Sequence, residues 1–142
     1  MNLLPDGLIV VAKRECATCA LVEPLLHQLA HGPLPLAIYV QDDPGYAAGI
    51  QGLVFDETLE QSFRLGIEVV PTLIRVLNGV EMERTYGWHR EDWQRVSGHA
   101  ELGSALPTMR PGCGSKTLDP GMVEDLIVRF GDTGLTSRHV DI

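Results

Sequence analysis

Two cysteines separated by two residues are the side chains in this sequence best suited to covalent chemistry. Cys16 and Cys19 follow a short apolar run and come at the start of a predicted helix. Unpaired backbone N–H groups and the positive end of the helix dipole favour the thiolate form of Cys16. Cys19 lies one turn further into the helix, where it is close enough to form a disulfide and less exposed. The spacing therefore predicts thiol–disulfide exchange, in which Cys16 attacks and Cys19 resolves the mixed disulfide.

A zinc site is the competing interpretation, because His27 and His31 follow the two cysteines and superficially complete a ligand array. Cys19 and His27 are eight residues apart on one predicted helix, which separates them by about 12 Å along its axis. Zinc–ligand bonds are only about 2.0–2.3 Å long, so the four side chains cannot converge without breaking the helix. We expect no metal and no cofactor other than a redox-active disulfide.

The third cysteine, Cys113, lies in a segment rich in proline and glycine, residues 107–117. Two interpretations stay open: a third redox thiol, or an incidental loop thiol that takes no part. The flanking glycines favour the first, since they allow close approach to another backbone or sulfur. An odd number of cysteines cannot form a complete disulfide framework, so redox chemistry is the better prediction for the pair.

Composition and charge exclude several function classes. The chain has 142 residues, 44% of them apolar, and a formal net charge of −8, which predicts a packed core. Such acidity disfavours nucleic acid and anionic membrane surfaces, both of which attract Lys and Arg. No apolar run approaches the roughly 18 residues that span a bilayer. The early run 8–12 has no preceding Lys or Arg, so it resembles a strand more than a secretory signal, and we expect a cytoplasmic protein.

The elements that position the cysteines follow from apolar periodicity and from turn signals. Asn78-Gly79 predicts a two-residue hairpin turn, and Pro24 should kink the first helix. The predicted strands are 8–12, 34–40, 72–77 and 80–86, and the predicted helices are 17–30, 56–64 and 90–102, with a loop over 41–56. The order β-α-β-α-β-β-α predicts an α/β fold with a central mixed four-stranded sheet and flanking helices.

Several motifs in this order resemble the thioredoxin family, over roughly residues 8–102. A proline follows the second active-site cysteine of that family by five residues, as Pro24 follows Cys19. The family also has a Gly-Ile-x-x-Ile/Val-Pro-Thr segment, a later Asn-Gly turn and a glycine after the return strand. The matching residues here are Gly66-Ile67-Glu68-Val69-Val70-Pro71-Thr72, Asn78-Gly79 and Gly87.

This resemblance implies a thioredoxin-like fold and a cis peptide bond between Val70 and Pro71 that faces the cysteines. It also implies that the Val70 backbone is free to pair with an extended substrate segment, so Val70 and Pro71 are the expected substrate-binding residues. Proline suits the position because its cis bond costs little and it has no N–H. The implied function is an enzymatic thiol–disulfide oxidoreductase of cell redox homeostasis and electron transport. Its expected partners are protein disulfide substrates and a reductase or oxidant.

The sequence departs from the family pattern around the cysteines. Where the family usually has Trp-Cys-Gly-Pro-Cys, this chain has Glu15-Cys16-Ala17-Thr18-Cys19. Val10 stands where family members carry a buried acid six residues before the first cysteine. The family's first strand and helix are missing, so the start of the chain is more similar to the glutaredoxin plan. We therefore expect a different recognition surface.

The predicted organisation is a thioredoxin-like domain at 1–103 and a C-terminal extension at 104–142, which holds the Cys113 loop, a helix and a polar tail. The helix is predicted over 119–130 because its apolar residues share one face: Met122, Val123, Leu126, Ile127 and Phe130. We expect it to pack on the same domain or on a partner subunit in a homodimer, which would bring the Cys113 loop near the other cysteines. The alternative function is a thioredoxin-fold binding or redox-sensing module whose extension holds a partner.

Overall fold

The computed structural model describes residues 4–116. The predicted helix over 119–130, and the homodimer contact that depends on it, lie outside this range. The elements in chain order are β1 Gly7–Ala12, α1 Ala17–Ala30, β2 Leu36–Val40, β3 Leu53–Phe55, α2 Glu60–Arg64, β4 Val69–Val70, β5 Thr72–Leu77, β6 Val80–Tyr86, β7 Trp88–His89, α3 Arg90–Ser97, β8 Met109–Arg110 and β9 Cys113–Gly114.

A mixed five-stranded sheet forms the centre of this α/β fold, in the order β3-β2-β1-β5-β6. β1 runs parallel to β2 and antiparallel to β5. All six residues of β1 are buried, as expected for a central strand covered on both faces. None of the helices in residues 4–116 is long and apolar enough to cross a membrane.

The sheet has five strands rather than the predicted four. Leu53–Phe55, predicted as part of a loop, pairs in parallel with β2 and becomes an edge strand. Its three residues are too few to show a strand period, and Val54 and Phe55 are exposed. The strand forms because the outer edge of β2 has backbone groups that need partners.

Further elements also differ from the sequence prediction; β2, for example, begins at Leu36 rather than at 34. α3 ends at Ser97 rather than at 102, because Gly98 takes a left-handed conformation with φ of 75° and ends the helix. α2 begins at Glu60 rather than at 56, although Asp56 does accept hydrogen bonds from the backbone N–H groups of Gln61 and Ser62. The predicted loop 107–117 contains β8 and β9, each paired with another strand.

The register of the sheet brings three chain segments together at one edge, where β1 and β2 end and β5 begins. Val11 in β1 lies opposite Thr72, the first residue of β5, and Ala12 lies opposite Val40, the last residue of β2. The residues that follow β1, follow β2 and precede β5 therefore meet at this edge. It is the edge on which the two predicted active-site cysteines lie.

Candidate functional site

Cys16 occupies the N-cap position of α1. Its backbone is extended, with φ of −158° and ψ of 117°, and its Sγ accepts a hydrogen bond from the Cys19 N–H at 3.3 Å. Asp42 fixes the turn before it by accepting from the backbone N–H groups of Arg14 at 2.7 Å and Glu15 at 3.0 Å. The sulfur thus takes the place of the polar oxygen that usually caps a helix, which puts it at the start of the helix as predicted.

Cys19 lies beneath Cys16 and is fully buried, with 0% of its surface exposed. Burial raises the pKa of the Cys19 thiol. Its hydrogen bond to Cys16 and the negative charge on Cys16 raise that pKa further. Tyr46 donates its hydroxyl to the carbonyl oxygen of Cys19 at 2.6 Å. The raised pKa keeps Cys19 protonated while Cys16 carries a negative charge, which suits a thiol that acts second.

The Val70-Pro71 peptide bond is cis, and this prediction is confirmed. The carbonyl oxygen of Val70 lies 3.6 Å from Cys16 Sγ. Thr72, directly after the proline, donates its hydroxyl to the Val69 carbonyl oxygen at 2.7 Å. The predicted substrate-binding residues are therefore beside the Cys16 sulfur.

Cys113 lies in the same site. β9 pairs antiparallel with β4, with Cys113 opposite Val70 and Gly114 opposite Val69. Cys113 Sγ is 2.6 Å from Cys16 Sγ, about 0.6 Å more than the length of a disulfide bond, and all three cysteines are free thiols. The predicted approach of the Cys113 loop to the other cysteines is confirmed, and its redox role stays a prediction.

The backbone edge at Val70 is not free, contrary to the expectation from sequence. The segment that pairs with it is the chain's own β9, and Ser115 extends the contact by donating its N–H to the Glu68 carbonyl oxygen at 3.0 Å. The expectation was wrong because it considered only residues 8–102. The segment that covers the edge comes from beyond that range.

The three sulfurs differ in how readily they ionise. Burial by itself raises the pKa of Cys16, but hydrogen bonds from the Cys113 thiol, from the Cys19 thiol and N–H and from the Thr18 N–H outweigh it and hold that pKa below its usual value. Burial raises the pKa of Cys113. The hydrogen bond between Cys113 and Cys16 and the negative charge on Cys16 also raise it. The arrangement favours one thiolate, on Cys16, with two protonated thiols donating to it.

Residues 109–116, which we call the Cys113 segment, are held on both sides of their cysteine. Before it, the buried Thr18 hydroxyl donates to the Pro111 carbonyl oxygen at 2.6 Å. At Gly112, an added Cβ would lie 2.5 Å from Val69 Cγ1 and 2.6 Å from the Val70 carbonyl oxygen. Only glycine fits this close approach of two backbones.

After the cysteine, the fully buried side chain of Gln41 holds the segment. Its Nε2 donates to the hydroxyls of Ser62 at 2.9 Å and Ser115 at 2.7 Å. Its Oε1 accepts from the Lys116 N–H at 3.0 Å. Ser62 in turn donates to Asp56 at 2.7 Å, so each member of this buried network has a partner, as buried polar groups require.

Thr18, Gln41, Ser62 and Ser115 were missed as site residues by sequence reasoning. Gln41 begins a predicted loop, and the two serines lie in unrelated segments, so no spacing connects them. Thr18 carried one weak signal, since it stands between the cysteines where the thioredoxin family usually has proline. No group of three His, Cys, Asp and Glu side chains within residues 4–116 is arranged to hold a metal ion.

Comparison with known proteins adds no assignment to this geometry. No protein-family model matches the chain. No curated protein matches it either.

Proposed function

We propose that this chain is a thiol–disulfide oxidoreductase with a thioredoxin-like fold, acting in the cytoplasm on disulfides of partner proteins. The observation that carries the proposal is the Cys16 sulfur at the start of α1, which accepts a hydrogen bond from the Cys19 N–H, lies 2.6 Å from Cys113 Sγ and has a lowered pKa. A thiolate at such a position is the attacking group in disulfide exchange. Cys19, protonated and buried one turn further on, is the resolving thiol.

The connectivity of the sheet supports the thioredoxin-like part of the proposal. β1 and β2 are parallel and joined through α1, β5 and β6 form an antiparallel hairpin, and α3 packs against that hairpin. The cis Val70-Pro71 bond precedes β5 at the edge that carries the cysteines. β3 and the Cys113 segment are additions to this plan.

The proposed reaction reduces one disulfide of a partner protein. The Cys16 thiolate forms a bond with one sulfur of that disulfide, and the other sulfur leaves as a thiolate that takes a proton from water. Cys19 then loses its proton to the departing sulfur, and its own sulfur bonds to Cys16 Sγ while the partner is released. The partner gains two electrons and two protons, and the protein is left with a Cys16–Cys19 disulfide. An external dithiol returns it to the reduced form.

The test is the reduction of insulin disulfides with dithiothreitol as the electron source. Wild-type protein should accelerate the reaction over dithiothreitol alone, and Cys16→Ser should remove the acceleration completely. Serine preserves the size of the side chain and the helix cap, so circular dichroism of the variant should match the wild type. Equal activity of the two proteins would show that the chemistry lies elsewhere.

A further inference from the structure

The Cys113 segment covers the sulfur on which the proposed function depends. Cys16 is 6% exposed and Cys19 is fully buried, whereas Cys113 is partly exposed. The strand edge at Val70, which an extended partner segment would need, is already paired with β9. A partner disulfide that approaches the folded protein therefore meets the Cys113 sulfur before it can reach Cys16.

The segment is built into the site rather than laid over it. Thr18 holds the carbonyl two residues before Cys113, and Gln41 holds the side chain and N–H that follow it. Gly112 fits between Val69 and the Val70 carbonyl oxygen with no room for a Cβ. Releasing the segment would break these buried hydrogen bonds together.

We propose that Cys113 is the thiol that exchanges with the external disulfide, and that a Cys16–Cys113 disulfide is the intermediate which Cys19 resolves. This inference rests on the proposed oxidoreductase function, and it replaces the direct attack of Cys16 on the partner disulfide by an attack of Cys113. It makes Cys113 a third catalytic residue and the Cys113 segment a fixed part of the active site.

The steps balance in atoms and electrons. Cys113 passes its proton to the Cys16 thiolate, and its sulfur bonds to one sulfur of the external disulfide while the other leaves and takes a proton from water. Cys16 then loses its proton to solvent and bonds to Cys113 Sγ, which releases the remaining external sulfur as a thiolate that takes up a proton. Cys19 finally bonds to Cys16 Sγ, and its proton goes to the departing Cys113 sulfur. Two thiols of the protein are oxidised and one external disulfide is reduced.

In the first step Cys113 reacts although its own pKa is raised, because it is the partly exposed sulfur of the pair. The order of ionisation among the sulfurs agrees with the internal step. Cys16 has the lowered pKa, so it is the better attacking group on a Cys113 mixed disulfide and, in the reverse direction, the better leaving group. In that reverse direction an external thiolate attacks the exposed Cys113 sulfur of the Cys16–Cys113 disulfide. In both directions the partly exposed Cys113 sulfur reacts with the partner, and the buried Cys16 sulfur reacts in the step within the protein.

The experiment maps where insulin becomes attached. Reduced full-length Cys16→Ser and Cys19→Ser proteins are mixed with insulin, quenched in acid and analysed by proteolysis and mass spectrometry. We expect Cys16→Ser to carry insulin on Cys113, since the attacking sulfur for the next step is missing. Cys19→Ser should accumulate the Cys16–Cys113 disulfide instead of a mixed disulfide. Insulin attached to Cys16 in Cys19→Ser, with Cys113 still a free thiol, overturns the proposal.

Turnover of Cys113→Ser gives the second measurement. We expect insulin reduction to fall at least about tenfold, because the external disulfide must then reach Cys16, which is only 6% exposed beneath the segment, and exchange rates depend on access to the sulfur. Wild-type or faster turnover would show that the Cys113 segment only blocks access to Cys16 and that Cys113 takes no part in the exchange. That result would overturn the inference while leaving the oxidoreductase function intact. Equal turnover of Cys16→Ser and wild type would instead remove the proposed function, and this inference with it. If Cys113→Ser fails to fold, the mapped positions decide, because both mapping variants retain Cys113.

Discussion

The chain holds its two neighbouring sulfurs, Cys16 and Cys113, by different means. Cys16 is fixed by its own helix, through the N–H of Cys19 three residues along, and by Asp42 across the preceding turn. Cys113 has no helix of its own. It is fixed by Thr18 and Gln41, whose bonds to the Cys113 segment join residues 93 and 74 positions apart.

This difference explains why two sulfurs in contact acquire opposite acidities. Burial raises the pKa of both, so burial by itself does not separate them. Cys16 receives backbone and thiol hydrogen bonds at the start of a helix, which stabilise a negative charge. Cys113 donates to that charge and therefore keeps its proton. In the reduced protein the two sulfurs therefore form an asymmetric pair, in which the negative charge is favoured on Cys16 and the proton on Cys113.

The largest expected effect comes from filling the space at Gly112. Gly112→Ala places a Cβ against Val69 and the Val70 carbonyl oxygen, and forced overpacking of this kind costs about 1–3 kcal/mol. The control is Gly114→Ala two residues away, where an added Cβ meets nothing within 4 Å. Urea unfolding should show a lower midpoint for Gly112→Ala than for the wild type. For Gly114→Ala the free energy of unfolding should change by no more than about 0.5 kcal/mol, so its midpoint should stay near that of the wild type. Equal midpoints for the two variants would mean that the Cys113 segment is not seated in this way.

A smaller loss is expected from Thr18→Val, which keeps the shape of the side chain and removes the hydroxyl that joins α1 to the Cys113 segment. A net loss of about 0.5–1.5 kcal/mol is typical for one such hydrogen bond. Hydrogen exchange at the Ser115 and Lys116 amides should become faster, because the segment is released more often. Ser104→Ala is the control, since that exposed hydroxyl bonds only within its own turn. Unchanged protection in Thr18→Val would contradict the link.

The smallest effect expected is on the ionisation of Cys16. The rate at which iodoacetamide modifies Cys16 should rise with pH around a midpoint below the ordinary cysteine value of 9.0, since the hydrogen bonds favour the thiolate. Cys113→Ala removes one donor and should move the midpoint upward. Cys113→Ser retains a hydroxyl donor and should move it less. Identical midpoints in all three proteins would show that Cys113 does not stabilise the thiolate.

Local sequence was enough to predict the half of the site that is built around α1. The helix over 17–30 was predicted from its apolar spacing, and its bounds agree with α1. The position of Cys16 at its start follows from the preceding strand. The cis bond at Val70-Pro71 is implied by the resemblance of a seven-residue motif to the thioredoxin family. These features depend on residues close together in the chain, so their patterns are visible in the sequence.

The other half of the site, which consists of the Cys113 segment and the buried residues that hold it, was decided only by the tertiary structure. Glycine and proline around Cys113 predicted a loop, yet the segment forms β9 because β4 offers it an unpaired backbone edge. Gln41, Ser62 and Ser115 show no periodicity, since buried polar residues are selected by the partners they meet rather than by a repeating apolar face. Their partners lie 21 and 74 residues from Gln41, and those distances close only when the sheet brings the ends of its strands to one edge.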